Sequence, residues 1–567
     1  MTEPARLTWQ GAAFLSDDAR ERLLGEGAPF EIVVEDVLGA PAEVYAQRMP
    51  NLRAAFENAV EQWGDLPLLV DADTGRTQTF AETLDAAYAV ARLLADEYGI
   101  EKGDRVAVVA ANCPEYLVVA WGVLSMGAIL TGLNGWWTGP EMVHGIELTS
   151  PKVVTGDERR LARLDELEAE VHVPIVEIHE LVERAVAGGP GTRPDVDLHE
   201  DDPAIILFTS GTTGRPKGAT LTHRGFLHFG QSNRLSAAVA AEFAPPADPD
   251  AGPRPQPATI MASPMFHISG LVATLIGGPQ LGNKLVFPPP GRWEEKAHLD
   301  LTVEHGITNW SGVPTQFWRL LQYEHFDDYD LTGVTSAGGG GAVFPPELFR
   351  LFREKMPWIG LGCGYGMSES CGMGTGIGGP LLEARPEAVG IANPTTEVEV
   401  RDPSGRPLPE DEVGEVHLRH ASIFRGYWNN DEATADSLDD DRWYSTGDFG
   451  RITDGMLVLE SRMRDLIIRG GENIYPIEIE NRLVEHHEID DAAVIGVDHQ
   501  VLGQEVKAFV VRRPDSGLTE DDVKAWVAEA LAKYKVPEYV EFRDALPYNQ
   551  TGKLLKNQLE KEEAGEG

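Results

Sequence analysis

Short apolar runs rich in β-branched residues alternate along this chain with stretches of helical periodicity. Residues 105–110 predict a buried strand, 114–126 a buried helix, 128–133 a second strand and 152–155 a third. That rhythm predicts mostly parallel sheets covered by helices. The uncharged stretch 116–133 reaches the length of a membrane span, yet Gly122, Gly127 and Gly132 punctuate it. A buried helix and strand meeting near Gly127 account for it better. Another apolar run, 204–208, predicts a strand leading into a glycine-rich loop. Residues 244–257 are proline-rich and read as a surface insertion.

Near residues 462–465 the pattern changes. Upstream, short β-like pieces (415–418, 456–459) are spaced by turns. Downstream follow a helix at 477–485, strands at 492–497 and 506–511, and a helix at 520–533, together the size of one small domain. We therefore expect a large domain over 1–464, with 1–50 as an N-terminal extension, and a small domain over 465–567.

Composition alters this picture little, but charge narrows the partners. A formal charge of −43 speaks against direct nucleic-acid binding and means that any anionic substrate must enter a locally positive pocket. Cys113, Cys363 and Cys371 have no CxxC spacing, so a reducing compartment and a cytoplasmic location are expected. The N-terminus lacks the apolar core of a signal peptide, and no transmembrane segment is expected.

The candidate chemistry lies in polar clusters far apart in sequence. The loop TSGTTGRPKG (209–218) combines hydroxyls, glycines and one lysine after a strand, as a polyphosphate cradle requires. It is not a Walker A loop, because Gly218 follows Lys217. Glu369, in GYGMSES (364–370), suits a Mg²⁺ ligand beside a triphosphate, although Ser368 could instead cap a helix. Asp448, in YSTGD (444–448), suits a ribose diol or simply an Asx-turn. Lys553, in PYNQTGK (547–553), carries little weight alone.

With PMFHISG (264–270) and RMRDLIIRGGENIYPIEIE (462–480), these motifs stand in an order that resembles the adenylate-forming superfamily, and within it the acyl-CoA synthetase, or fatty-acid–CoA ligase, branch. The resemblance covers roughly residues 50 to 560. It implies an α/β fold: a large N-terminal domain of layered β-sheets and helices with a β-barrel-like subdomain, plus a small mobile α+β C-terminal domain. It also implies ATP, Mg²⁺ and coenzyme A as cofactor and co-substrates. In that reading Thr209, Ser210, Gly211, Thr212, Thr213, Gly214 and Lys217 hold the β/γ phosphates. Gly340, Gly341, Ala342 and Tyr365 hold adenine; Ser368 reaches phosphate and Glu369 holds Mg²⁺. Asp448 takes the ribose, with Arg462 near ribose and phosphate. Asp465 is the hinge, and Lys553 bridges the substrate carboxylate and the α-phosphate. Gly470 and Gly471 line the pantetheine path.

His267 falls where the resemblance places a residue near the acyl carboxylate; a satisfied core histidine is the alternative. Gly339 and the glycine-rich run around it imply a roomy acyl pocket or a loose backbone. Trp310, Val313, Met367, Cys371 and Met373 are candidate walls, mostly apolar, pointing to a hydrophobic acid. The expected reaction is ligation of a medium- or long-chain fatty acid, or a bulky aryl or cyclic acid, to CoA through an acyl-adenylate. The alternative is an adenylating enzyme that loads a carrier protein's pantetheine. The partners are thus a small carboxylic acid, ATP and CoA, and a homodimer is among the expected assemblies.

Overall fold

The computed structural model describes residues 4–165, 171–209, 216–243, 255–340, 346–462, 465–469, 472–499, 502–514, 516–531, 533–548 and 554–563. The proline-rich segment 244–254 lies outside them. Two large sheets organise the N-terminal part. Among the described residues, one has seven strands, in the order Gly426–Tyr427, Lys217–Thr222, Pro203–Thr209, Ile129–Gly132, Arg105–Val109, Val153–Gly156 and Ile175–Glu177. From Pro203–Thr209 to Ile175–Glu177 these strands are parallel. The first two are antiparallel additions.

The other sheet is a fourteen-strand path among the described residues. Six of its strands are parallel: Gly360–Tyr365, Ser336–Gly340, Asn309–Ser311, Ala258–Ile260, Lys284–Phe287 and Pro67–Asp71 lie side by side. An antiparallel run continues it through Thr375–Gly378, Ala388–Ala392, Met456–Arg462, Tyr444–Thr453, Gly414–Arg419 and Glu397–Arg401. That run stands where a barrel-like subdomain is expected; its strand order is open and ends at Arg6–Thr8.

The core explains the membrane-like stretch. Every residue of helix Pro114–Ser125 is buried, and Trp121 stacks on Phe56 with ring centroids 4.4 Å apart. Gly122 lies so close to helix Phe80–Tyr98 that a Cβ there would meet the Ala87 carbonyl oxygen at 2.8 Å. Gly127, at φ +75°, then turns the chain into strand Ile129–Gly132. A helix surrounded by protein on all sides needs no polar face, which is why it carries so little charge. No helix among the described residues is long and apolar enough to cross a membrane.

After Met456–Arg462 the chain passes Asp465 into a separate sheet of five strands among the described residues: Ile467–Arg469, Glu472–Ile474, Ile489–His499, Gly503–Arg512 and Tyr539–Arg543. Helices Pro476–Val484 and Glu520–Ala528 cover it with a core of its own. The second helix is shorter than the expected 520–533. It gives way to a 3₁₀ turn, Lys533–Lys535, that carries the chain back to strand Tyr539–Arg543.

Candidate active site

In open α/β sheets, ligands gather beyond the carboxyl ends of parallel strands. The candidate residues follow that rule. His267 follows Ala258–Ile260, Val313 follows Asn309–Ser311, and Gly339 and Gly340 end Ser336–Gly340. Tyr365 ends the next parallel strand and leads into residues 366–373. From the seven-stranded sheet, Thr209 ends Pro203–Thr209 and faces Lys217 across an antiparallel pair, so both residues stand at the mouth of the loop they bound. Ser210, Gly211, Thr212, Thr213 and Gly214 lie outside the described residues, as do Gly341, Ala342, Gly470, Gly471 and Lys553.

Lys217 and Glu369 meet through a tyrosine that the motifs do not mark. Lys217 lies on strand Lys217–Thr222, which pairs with Gly426–Tyr427. Its ammonium lies 5.0 Å from the centre of the Tyr427 ring, a cation–π distance. The Tyr427 hydroxyl donates to Glu369 Oε1 at 2.9 Å. Burial, then the nearby Glu369 charge, push the Tyr427 phenol well above its ordinary pKa, so it stays protonated and remains a donor. Tyr444 is raised for the same two reasons. Glu369 is 6% exposed, and among the described residues no Lys or Arg forms an ion pair with it. A buried carboxylate with no ion-paired Lys or Arg among the described residues fits the hard-oxygen donor set of a Mg²⁺ site.

Ser368 is half-buried in the short 3₁₀ turn Ser368–Ser370 and does not cap a helix; the Ser370 hydroxyl instead accepts from the Met367 amide at 3.0 Å. The turn closes through Cys371, whose φ of +53° is unusual for a residue with a side chain.

A second cluster joins Tyr365 to Asp448. The Tyr365 hydroxyl donates to Asp448 Oδ2 at 2.8 Å, and both side chains are buried. Asp448 makes no Asx-turn: it lies within strand Tyr444–Thr453, and its amide donates to the Thr446 hydroxyl at 3.1 Å. It is paired in register with Arg462, of which the backbone is described.

The third cluster surrounds His267. The half-buried imidazole lies against Phe266 and Trp136, with ring centroids 4.8 and 5.6 Å away. Trp136 comes from the seven-stranded sheet, beyond Ile129–Gly132, so the strand ends of the two sheets converge here. Asn112 fixes the segment before His267: its amide nitrogen donates to the carbonyls of Met261 and Ser263, each at 2.8 Å, and its oxygen accepts from the Met265 amide at 2.9 Å. A Cβ on Gly372 would lie 3.5 Å from Ile268, which ties this cluster to the Glu369 turn.

Three of the candidate walls of the acyl pocket, Trp310, Cys371 and Met373, are buried. Trp310 is 1% exposed, and its indole N–H donates to the Thr302 hydroxyl at 3.1 Å. Cys371 is fully buried, with its sulfur 3.4 Å from where a Cβ on Gly225 would sit, and burial pushes its thiol pKa up. Met373 is likewise buried, whereas Met367 and Val313 are half-exposed. The glycine run is neither loose nor roomy at its strand. A Cβ on Gly339 would lie 2.0 Å from the Gly312 carbonyl oxygen, and one on Gly338 would lie 2.6 Å from that of Gly362.

Residues 56–428 match the family described as AMP-binding enzyme, and 478–553 match its C-terminal domain. The chain belongs to the AMP-binding enzyme family, within the adenylate-forming superfamily. It is 32% identical to a long-chain-fatty-acid–CoA ligase of Yersinia pestis, over 93% of this chain and 97% of that one. It is 30% identical to 4-coumarate–CoA ligase 3 of Oryza sativa subsp. japonica, over 91% and 94%. Among solved structures, ATP-bound MatB from Rhodopseudomonas palustris superposes with a TM-score of 0.79 at 30% identity, covering 90% of this chain and 99% of that one. The protein is thus an acid–thiol ligase of the AMP-forming type, in a family that uses ATP and CoA. Tyr427, Trp136 and Asn112 are the site residues that sequence reasoning missed. For Tyr427 the available signal was its place between Gly426 and Trp428.

Proposed function

We propose that this enzyme adenylates a hydrophobic carboxylic acid, a medium- or long-chain fatty acid or a bulky aryl or cyclic acid, and passes the acyl group to CoA. The observation that carries the reading is the joining of Lys217 and Glu369 through Tyr427, beside a buried Tyr365–Asp448 pair. A cationic and a carboxylate phosphate-side group thus stand next to a carboxylate suited to a ribose. The hydrophobic acid is supported by the half-buried apolar side chains of Ile268, next to His267, and of Phe229 and Met367, which pack on the same core, and by the substrates named for the fatty-acid and coumarate relatives.

In this reading the loop from Thr209 to Lys217 grips the β- and γ-phosphates, with Ser368 reaching the same side. Gly340, Gly341, Ala342 and Tyr365 bracket adenine, while Asp448 and Arg462 hold the ribose. Glu369 would hold Mg²⁺, which neutralises phosphate charge when bound. The substrate carboxylate is ionised at neutral pH, so its attack on the α-phosphate needs no general base. It needs alignment and charge neutralisation, which Lys553 supplies between carboxylate and α-phosphate. His267 orients the acyl carboxylate, and Val313, Met367 and Gly339 border the acyl chain. For thioester formation the domain beginning at Asp465 turns, withdrawing Lys553 and bringing Gly470 and Gly471 to the pantetheine path. Asp465 lies on the single connection between the two sheet systems, which supports a domain boundary there.

The test is a panel of acids assayed with ATP and Mg²⁺, once for pyrophosphate exchange without CoA and once for thioester with CoA. Dodecanoate or cinnamate should support both, and acetate and amino acids neither. Exchange without thioester would turn the reading toward carrier-protein loading.

A further inference from the structure

The small domain holds an acidic pair that no step above uses. Asp491 lies on strand Ile489–His499 at an irregularity in its pairing with Gly503–Arg512. The Tyr548 hydroxyl donates to both of its carboxylate oxygens, at 2.9 and 3.1 Å. Tyr548 is also the near end of a small antiparallel bridge to Leu554, reinforced by the Leu555 amide donating to the Pro547 carbonyl at 2.8 Å. The far side has its own anchor. Lys556 pairs with Glu480 at 2.6 Å, and the same Glu480 oxygen accepts from the Val494 amide at 2.7 Å. Leu554 packs on a small apolar core with Leu546, Ile495 and Leu559.

We propose that Tyr548 and Asp491 are positioning residues for Lys553. They tie down Tyr548, which with its bridge partner Leu554 bounds the sequence segment ending in Lys553. This inference rests on Lys553 acting in adenylation. A long lysine side chain reaches a defined point only if its backbone is held, and residues 549–553 are joined to the domain at both ends by these contacts. The Tyr548 bond is charge-assisted and runs to a sheet strand, so it limits sliding of the Tyr548–Leu554 bridge over that strand. Thioester formation, for which Lys553 is withdrawn, has no use for this positioning.

The variants Tyr548→Phe and Asp491→Ala test it, with Asp491→Asn as the conservative control, because an amide oxygen still accepts from the phenol. Adenylation is read as pyrophosphate exchange with dodecanoate or cinnamate, whichever turns over. Thioester formation is read separately from dodecanoyl-adenylate or cinnamoyl-adenylate supplied with CoA. Tyr548→Phe and Asp491→Ala should each lower kcat for exchange about five- to tenfold, leaving thioester formation within about twofold. Asp491→Asn should retain most of the exchange activity, and the double variant should be no worse than either single one. Equal losses in both half-reactions, or no loss of exchange, would overturn the proposal. Lys553→Ala is run beside them. If it spares exchange, the role of Lys553 fails; if it abolishes exchange while Tyr548→Phe does not weaken it, only the positioning role fails.

Discussion

Glu369 is a carboxylate almost withdrawn from water, with a phenol as its donor and a lysine ammonium on that phenol's face. Removing the hydroxyl in Tyr427→Phe leaves the ring and its cation–π contact but frees the carboxylate to rotate. Hydrogen bonds to charged groups are worth ~1.5–3 kcal/mol, so pyrophosphate exchange should fall by about tenfold or more while the fold stays intact. An unchanged exchange rate would show that Tyr427 merely packs. Residues inside dense motifs, such as Lys217, Tyr365, Glu369 and Asp448, were legible because unusual composition surrounds them. Tyr427 and Asn112 were not, because their importance lies in contacts with residues 58 and 149–153 positions away. Trp310 is ambiguous for the opposite reason: an apolar residue near a motif fits either a pocket wall or a core, and its burial and its bond to Thr302 fit the core.

At the level of elements, apolar runs and helical spacing made most strands and helices of the parallel layers legible, because burial on both faces leaves an uninterrupted signal. The glycine run at 338–340 was harder. Glycine signals either freedom or close approach, and here strand Ser336–Gly340 is pressed against its neighbours. Gly339→Ala should therefore cost ~2–3 kcal/mol of stability in denaturant unfolding, through a clash with the Gly312 carbonyl. Gly277→Ala, where a Cβ would meet nothing within 4 Å, should be close to neutral. Equal stability of the two variants would mean that the strands spread at no cost. The helix expected over 520–533 stops early because the chain must turn back to strand Tyr539–Arg543, a tertiary demand that local propensity does not contain.

For the whole molecule, the strand–helix alternation pointed to the fold class, but not to a path that joins a parallel sheet to an antiparallel one. Pairings such as Arg6–Thr8 with Glu397–Arg401 span nearly the whole large domain and leave no local trace. The interior also sets an acid limit. Burial pushes His223 and His298 down to about 4 and His420 down to about 3. Unfolded, each would take a proton near its ordinary value of 6.5, whereas the folded chain resists it. Their contribution is thus complete above pH 6.5 and is lost as pH falls from there toward 4. The melting temperature should drop between pH 7 and pH 5; a flat profile would mean that other groups compensate. With a formal charge of −43, added salt should raise the melting temperature at pH 7 by screening self-repulsion.

In the proposed reaction a carboxylate oxygen bonds to the α-phosphate and leaves with AMP. The direct measurement uses dodecanoate or cinnamate with heavy oxygen in its carboxylate, incubated with ATP, Mg²⁺ and CoA, followed by mass spectrometry of the products. The expected products are AMP with one labelled oxygen and unlabelled pyrophosphate, with acyl-CoA formed in equal amount. Unlabelled AMP, or label in inorganic phosphate beside ADP, would contradict it.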